Sequence, residues 1–212
     1  MEVECSDAQG LASQIADGLA AIPFVPNPWI EQEAVRYLLR CIGEDPTRAG
    51  LIDTPRRVVS ALHEMTSGRH IDPVAALSTV FDEACDEMVL VRGIRFVSLC
   101  EHHLLPFIGT MTVGYIPNGR VVGLSKIPRM VEAWARRPSM QERLTQQVAH
   151  TMADALQPTG VAVIAKASHA CMGCRGVRQP DADMVTSTLL GSMREPAVRA
   201  EFFALCGVDA RG

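Results

Sequence analysis

Met88-Val-Leu-Val-Arg-Gly-Ile-Arg-Phe-Val-Ser-Leu-Cys-Glu-His-His103 runs from a strand into a chemically reactive corner. Met88 to Leu99 is rich in apolar and β-branched residues and reads as a strand that ends at Cys100. Working outward, Ile108 to Ile116 reads as the next strand. Pro117-Asn118-Gly119 then supplies a turn into Arg120-Val-Val-Gly-Leu124, and Asn-Gly is a strong hairpin signal. Two amphipathic helices follow. Lys126 to Arg137 places Ile127, Met130, Val131 and Trp134 on one face, and Met140 to Leu156 does the same with Leu144, Val148 and Met152. Ser139-Met-Gln-Glu142 has the form of a capping box for the second helix. Strands at Gly160 to Ser168 and Asp183 to Leu190, then a helix from Pro196 to Cys206, close the chain. The order ββααββ predicts an α+β fold, with helices on one face of an antiparallel sheet.

Upstream the character is different. Residues 1–28 read as a peripheral extension and linker ending in the proline-broken Ile22-Pro-Phe-Val-Pro-Asn-Pro28. Residues 29–86 form a helical region, with Ile30, Ala34, Val35, Leu38 and Leu39 on one helix face. Asp53-Thr54-Pro55 opens a second helix there, with a capping residue and proline in its first turn. Residues 87–212 carry the ββααββ domain.

Composition narrows the function. The 212 residues are 48% hydrophobic and 21% charged, which suits a globular core. A net charge of −4, 5% aromatics and no basic stripe argue against a nucleic-acid module. No apolar run approaches the roughly 20 residues of a membrane span. The acidic start Met1-Glu-Val-Glu-Cys-Ser-Asp7 is unlike a secretory signal, and the seven cysteines are odd in number and scattered. Together these predict a reducing, cytoplasmic setting with thiols available as metal ligands.

Cys100-Glu-His-His103 and His169-Ala-Cys171-Met-Gly-Cys174 supply soft donors at the ends of two predicted strands. Thiolate and imidazole together suit zinc. On spacing alone the set divides evenly between two forms. One is an open site of Cys100, His103 and Cys171 with a position left for water; the other is a closed Cys3His site that adds Cys174. His102 and His169 favour the open form, because proton carriers beside a metal are the parts of a hydrolytic site. Lys126, Arg129, Arg175 and Arg178 flank the clusters. Lys126 and Arg129 share a face at a helix start, where an anion is also favoured by backbone N–H groups. Such a set suits a polyphosphate. Glu142 and Gln141 begin the long helix, where a carboxylate can accept paired N–H donors from a guanine edge or serve as a cap. Ser125 is a cap or a ligand contact, and Arg56 and Arg57 start another helix.

Ser98-Leu-Cys-Glu-His-His103, Gly123-Leu-Ser-Lys-Ile127, Gln141-Glu-Arg-Leu-Thr-Gln-Gln147 and His169-Ala-Cys171 with Arg175-Gly-Val177 together resemble the GTP cyclohydrolase I family. Asp53-Thr-Pro-Arg-Arg57 fits the same pattern, and the likeness covers roughly residues 30–206. The resemblance implies a T-fold (tunnelling-fold) enzyme with zinc on Cys100, His103 and Cys171. It implies that activated water opens guanine at C8, releasing formate and giving 7,8-dihydroneopterin triphosphate for folate or pterin synthesis. His102 and His169 then look like proton-transfer residues, and Glu142 and Gln141 like guanine readers. Ser125, Lys126, Arg129 and Arg175 look like substrate and triphosphate contacts, with Arg57 reaching a neighbouring subunit's triphosphate. A toroidal homodecamer is implied as well. Cys174 departs from the family pattern. Two rival readings are a relative acting on another purine or pterin, and a zinc-stabilised binding protein.

Overall fold

The structure, a computed structural model, describes residues 27–207. Of the extension and linker expected over residues 1–28, residues 1–26 lie outside them. The chain divides into two compact units, residues 1–60 and 61–212.

In the first unit, α1 (Pro28–Cys41) starts on an Asn27 cap whose Oδ1 accepts from Trp29 N, with Pro28 at the first helical position. α2 (Thr54–Met65) begins where Asp53-Thr54-Pro55 signals a start. Its Arg57 pairs with Asp53 one turn back, at 3.2 Å.

The second unit runs β1 (Val80–Asp82), β2 (Val89–Cys100), β3 (Pro106–Ile116), β4 (Arg120–Val122), α3 (Lys126–Ala135), β5 (Pro138–Ser139), α4 (Gln141–Leu156), β6 (Gly160–His169), α5 (Ala170–Gly173), β7 (Asp183–Gly191) and α6 (Pro196–Leu205). The main sheet has the order β5-β2-β3-β6-β7. Its β2–β3, β3–β6 and β6–β7 pairs are antiparallel, as the α+β reading requires. Alternation sets the two faces. Ile94, Phe96, Met111, Val113, Tyr115, Val161, Val163 and Ala165 point into the core, while Arg95, Val97, Ile108 and Thr110 face outward. Ile127, Met130 and Val131 of α3 and Leu144, Val148 and Met152 of α4 complete that core. Trp134 Nε1 ties the two helices by donating to Thr151 Oγ1 at 2.9 Å. α6 lies on the other face at one end, where Phe202 and Met193 cluster with Ala162.

Two local expectations fail for stated reasons. No β3–β4 hairpin forms across Asn118-Gly119. Both edges of β3 are already occupied, by β2 and β6, so β4 pairs with β1 instead, Val122 opposite Val80. Tyr115 holds β4 in place by accepting a hydrogen bond from Val122 N at 3.1 Å. Nor does Ser139 cap α4. It belongs to β5, opposite Cys100 in a parallel pair, and its hydroxyl donates to Met140 O; Met140 occupies the cap position with no side-chain bond. Glu142 is therefore released from capping.

Gly109 sets the spacing of β3 and β6. A Cβ there would lie 2.1 Å from Lys166 O and 2.6 Å from the Ala167 Cβ, and backbone atoms of a sheet cannot yield that much. Gly109→Ala is expected to cost about 1–3 kcal/mol, as overpacking does. A fall in the denaturant midpoint with an unchanged slope checks it.

Candidate metal centre and active site

The corner at Cys100 is built by backbone hydrogen bonds. Cys100 N donates to Leu105 O at 2.9 Å, and Leu104 N donates back to Cys100 O at 2.8 Å. Leu104 closes the turn with φ +52°, a left-handed conformation that a leucine adopts only when its surroundings enforce it. Glu101 is clamped by both Nη atoms of Arg143, and the guanidinium holds its carboxyl below the usual carboxylate range. A carboxyl lowered in the folded state lends stability above its unfolded pKa. That contribution is lost only as the pH falls through the lower folded value. The clamp therefore stays closed through the neutral range.

This turn presents His102 and His103 beside Cys100. Cys100 Sγ lies 3.6 Å from His102 Nδ1 and 3.8 Å from His103 Nδ1. Cys171 arrives on the single turn of α5, directly after β6 ends at His169. The ligand atoms of Cys100, His103 and Cys171 all lie within 4.8 Å of one another. Burial and then the neighbouring Cys100 sulfur push the Cys171 thiol up, while Arg175 pulls it down. Cys174 stands outside the group. Its thiol is exposed and donates to Ala170 O at 2.8 Å. No disulfide links the described cysteines.

His169 pairs in register with Phe107 across β3 and β6, and the Phe107 ring stacks on its imidazole at 4.7 Å and 3°. Its Nε2 lies 2.8 Å from Gln141 Oε1. Burial pushes its pKa down and the Glu142 charge pulls it back up, with burial the larger effect. Burial thus favours the neutral imidazole of His169, the form that accepts a proton. Arg175 Nη1 reaches His103 Nε2 at 3.1 Å, so one cation sits directly beside the metal-capable group.

The expected site residues fall into three sets. Cys100, His102, His103, Cys171 and Arg175 are joined by the contacts and charge effects above, as are His169, Gln141 and Glu142, and the chain from His169 to Cys171 runs from one group to the other. Ser125, Lys126 and Arg129 occupy the start of α3, and no hydrogen bond or ion pair among the described residues joins them to that group. Ser125 holds the cap position but makes no capping bond with its side chain. Arg129 lines a cavity of about 730 Å³ together with Arg95, Arg136, Glu64 and Glu132. Arg57 lies in the first unit, in its ion pair with Asp53. Gln141 is fully buried, its amide nitrogen directed at the sheet. Phe107 and Arg143 went unnoticed in the sequence. Phe107 lies in no motif, and Arg143 sits inside Gln141-Glu-Arg-Leu-Thr-Gln-Gln147 with nothing there to mark Glu101 as its partner; strand register and helix position bring the two to the site.

Residues 31–207 match the family model described as GTP cyclohydrolase I. The chain is 49% identical over 176 residues to a protein named GTP cyclohydrolase 1 from Streptomyces avermitilis, covering 82% of this chain and 88% of that one. A protein of the same name from Streptomyces griseus shows the same identity and coverage. One from Streptococcus suis is 50% identical over 168 residues, covering 79% of this chain and 90% of that one. A match over nearly the whole described chain, joined to a Cys-Cys-His group beside a histidine and an arginine, leads to one conclusion: this chain belongs to the GTP cyclohydrolase I family of enzymes.

Proposed function

We propose that this protein converts GTP and water to 7,8-dihydroneopterin triphosphate and formate, with zinc held by Cys100, His103 and Cys171. The carrying observation is the convergence of those three ligand atoms within 4.8 Å, with Cys174 excluded, in a chain of this family. The group fits zinc. Two thiols and an imidazole are donors it prefers, and Cys100 Sγ and His103 Nδ1 already lie 3.8 Å apart. When bound, zinc supplies Lewis-acid activation of water.

The chain's own residues do the rest. Glu142, exposed at the helix start and free of capping duty, accepts the N1 and N2 protons of guanine. Arg175, Lys126 and Arg129 hold the triphosphate by charge-assisted hydrogen bonds, with Ser125 contacting the substrate beside them. Arg57 serves the triphosphate of a neighbouring subunit in a homodecamer. His169 takes up and returns protons at the purine ring, and His102, 3.6 Å from Cys100 Sγ, does so on the metal side. C8 of the ring leaves as formate. The reaction is the first step of tetrahydrofolate or pterin synthesis, in the cytoplasm; among the described residues no helix is long and apolar enough to cross a membrane.

Incubation of zinc-loaded protein with GTP tests this directly. Formate and the pterin chromophore are expected to appear together in equal amounts. Guanosine is expected to remain unreacted, since it offers nothing to the cation set. Turnover of guanosine at the rate of GTP, or absence of formate, would refute the reading.

A further inference from the structure

Gln141 opens α4, a position that helices usually leave wet, yet it is 0% exposed. Its Nε2 lies 3.0 Å from Ala165 O on β6, and 2.9 Å from Met184 O and 3.1 Å from Thr186 Oγ1 on β7. Thr145 Oγ1 braces the arrangement, 2.7 Å from Gln141 O and 2.7 Å from Thr186 Oγ1. An amide nitrogen has two hydrogens, so three acceptors leave none over for a ligand.

The orientation of this amide follows from chemistry. Backbone carbonyls can only accept, so Ala165 O and Met184 O require the NH2 group to face them. Flipping the amide would set Oε1 against two carbonyl oxygens. Oε1 therefore faces His169 Nε2 at 2.8 Å, and an amide oxygen can only accept. His169 Nε2 must carry the hydrogen. Turning the imidazole over would replace this nitrogen with carbon and forfeit the bond, and the Phe107 ring stacked at 4.7 Å holds its plane. Nδ1 is then the one ring atom left with a lone pair.

We propose that Gln141 is a positioning residue that fixes His169 as the Nε2–H tautomer, making Nδ1 the atom through which His169 exchanges protons with substrate. The geometry replaces the guanine-reading role expected of Gln141. The identity of the substrate rests on the proposed function; the tautomer does not. Orientation of an imidazole by a partner on its far nitrogen is a general way to select the reactive atom.

The test is a long-range proton–nitrogen correlation spectrum of the zinc-loaded protein labelled with 15N-histidine, His169 being assigned by the signal missing from His169→Gln. For neutral His169 the expected pattern is a protonated Nε2 and a bare Nδ1. A protonated Nδ1, or an even mixture, overturns the proposal. Kinetics supply a second arm. Gln141→Met is expected to mix the tautomers and lower kcat roughly 10- to 100-fold, as loss of a histidine-orienting partner does, with KM for GTP within about twofold. A raised KM at unchanged kcat would make Gln141 a substrate contact and defeat the proposal. If Gln141→Met does not fold, the wild-type spectrum decides alone. That spectrum reads the tautomer whether or not GTP is consumed, so failure of the proposed reaction is told apart from failure of this inference.

Discussion

Cys100→Ser is expected to lose the metal and fall to background turnover, whereas His102→Ala keeps the metal and loses turnover about 10²- to 10⁴-fold, the usual worth of a general acid or base. The contrast follows from position. Cys100 is 8% exposed at the end of β2, and its Sγ is one of the three convergent ligand atoms. A serine hydroxyl is a hard, weakly acidic donor and does not replace a thiolate toward a borderline-soft ion. His102 stands on the exposed side of the same turn and is outside the ligand group. Metal analysis of each purified variant, paired with formate release from GTP, separates the roles. Equal metal loss in both variants would make His102 a ligand. Because Cys100 also packs in the core, Cys171→Ser at the half-buried partner serves as a second variant.

Glu142→Ala is expected to lower kcat/KM for GTP by about 10- to 100-fold, the loss of hydrogen bonds to a charged acceptor worth about 1.5–3 kcal/mol. Thermal stability should barely move, because Glu142 is exposed and α4 uses no side-chain cap. Glu142→Gln, with the same shape, should be impaired as well, since an amide offers one acceptor where the guanine edge presents two donors. A drop in melting temperature with unaltered kcat/KM would return Glu142 to a purely structural role. Cys174→Ala is the matching control. Its thiol is spent on Ala170 O, so metal content and turnover should both stay at the wild-type level.

The legible parts of the sequence were those where local chemistry matches global placement. Alternating apolar residues in β2 and β3 and the period of Leu144, Val148 and Met152 specify elements with deep partners, and these emerged within a few residues of expectation. Soft ligands at strand ends pointed to the metal-capable group, because few other arrangements place thiols beside imidazoles. The hairpin signal at Asn118-Gly119 misled because a turn dictates direction, not partnership, and β3 had no edge to offer. The capping box misled because Ser139 was claimed by β5, a two-residue pairing too short to leave a pattern. The embedding of Gln141 was invisible for another reason. Its partners lie 24 to 45 positions downstream on two strands, and two of the three are backbone carbonyls, which carry no residue identity.

X-ray absorption at the zinc edge of the loaded, fully reduced wild-type protein is the most direct measurement of the central claim. Two sulfur neighbours at about 2.3 Å and two lighter ones are expected, one of them imidazole nitrogen and the other exchangeable solvent. Three sulfur neighbours would put Cys174 on the ion, close the site and contradict the account.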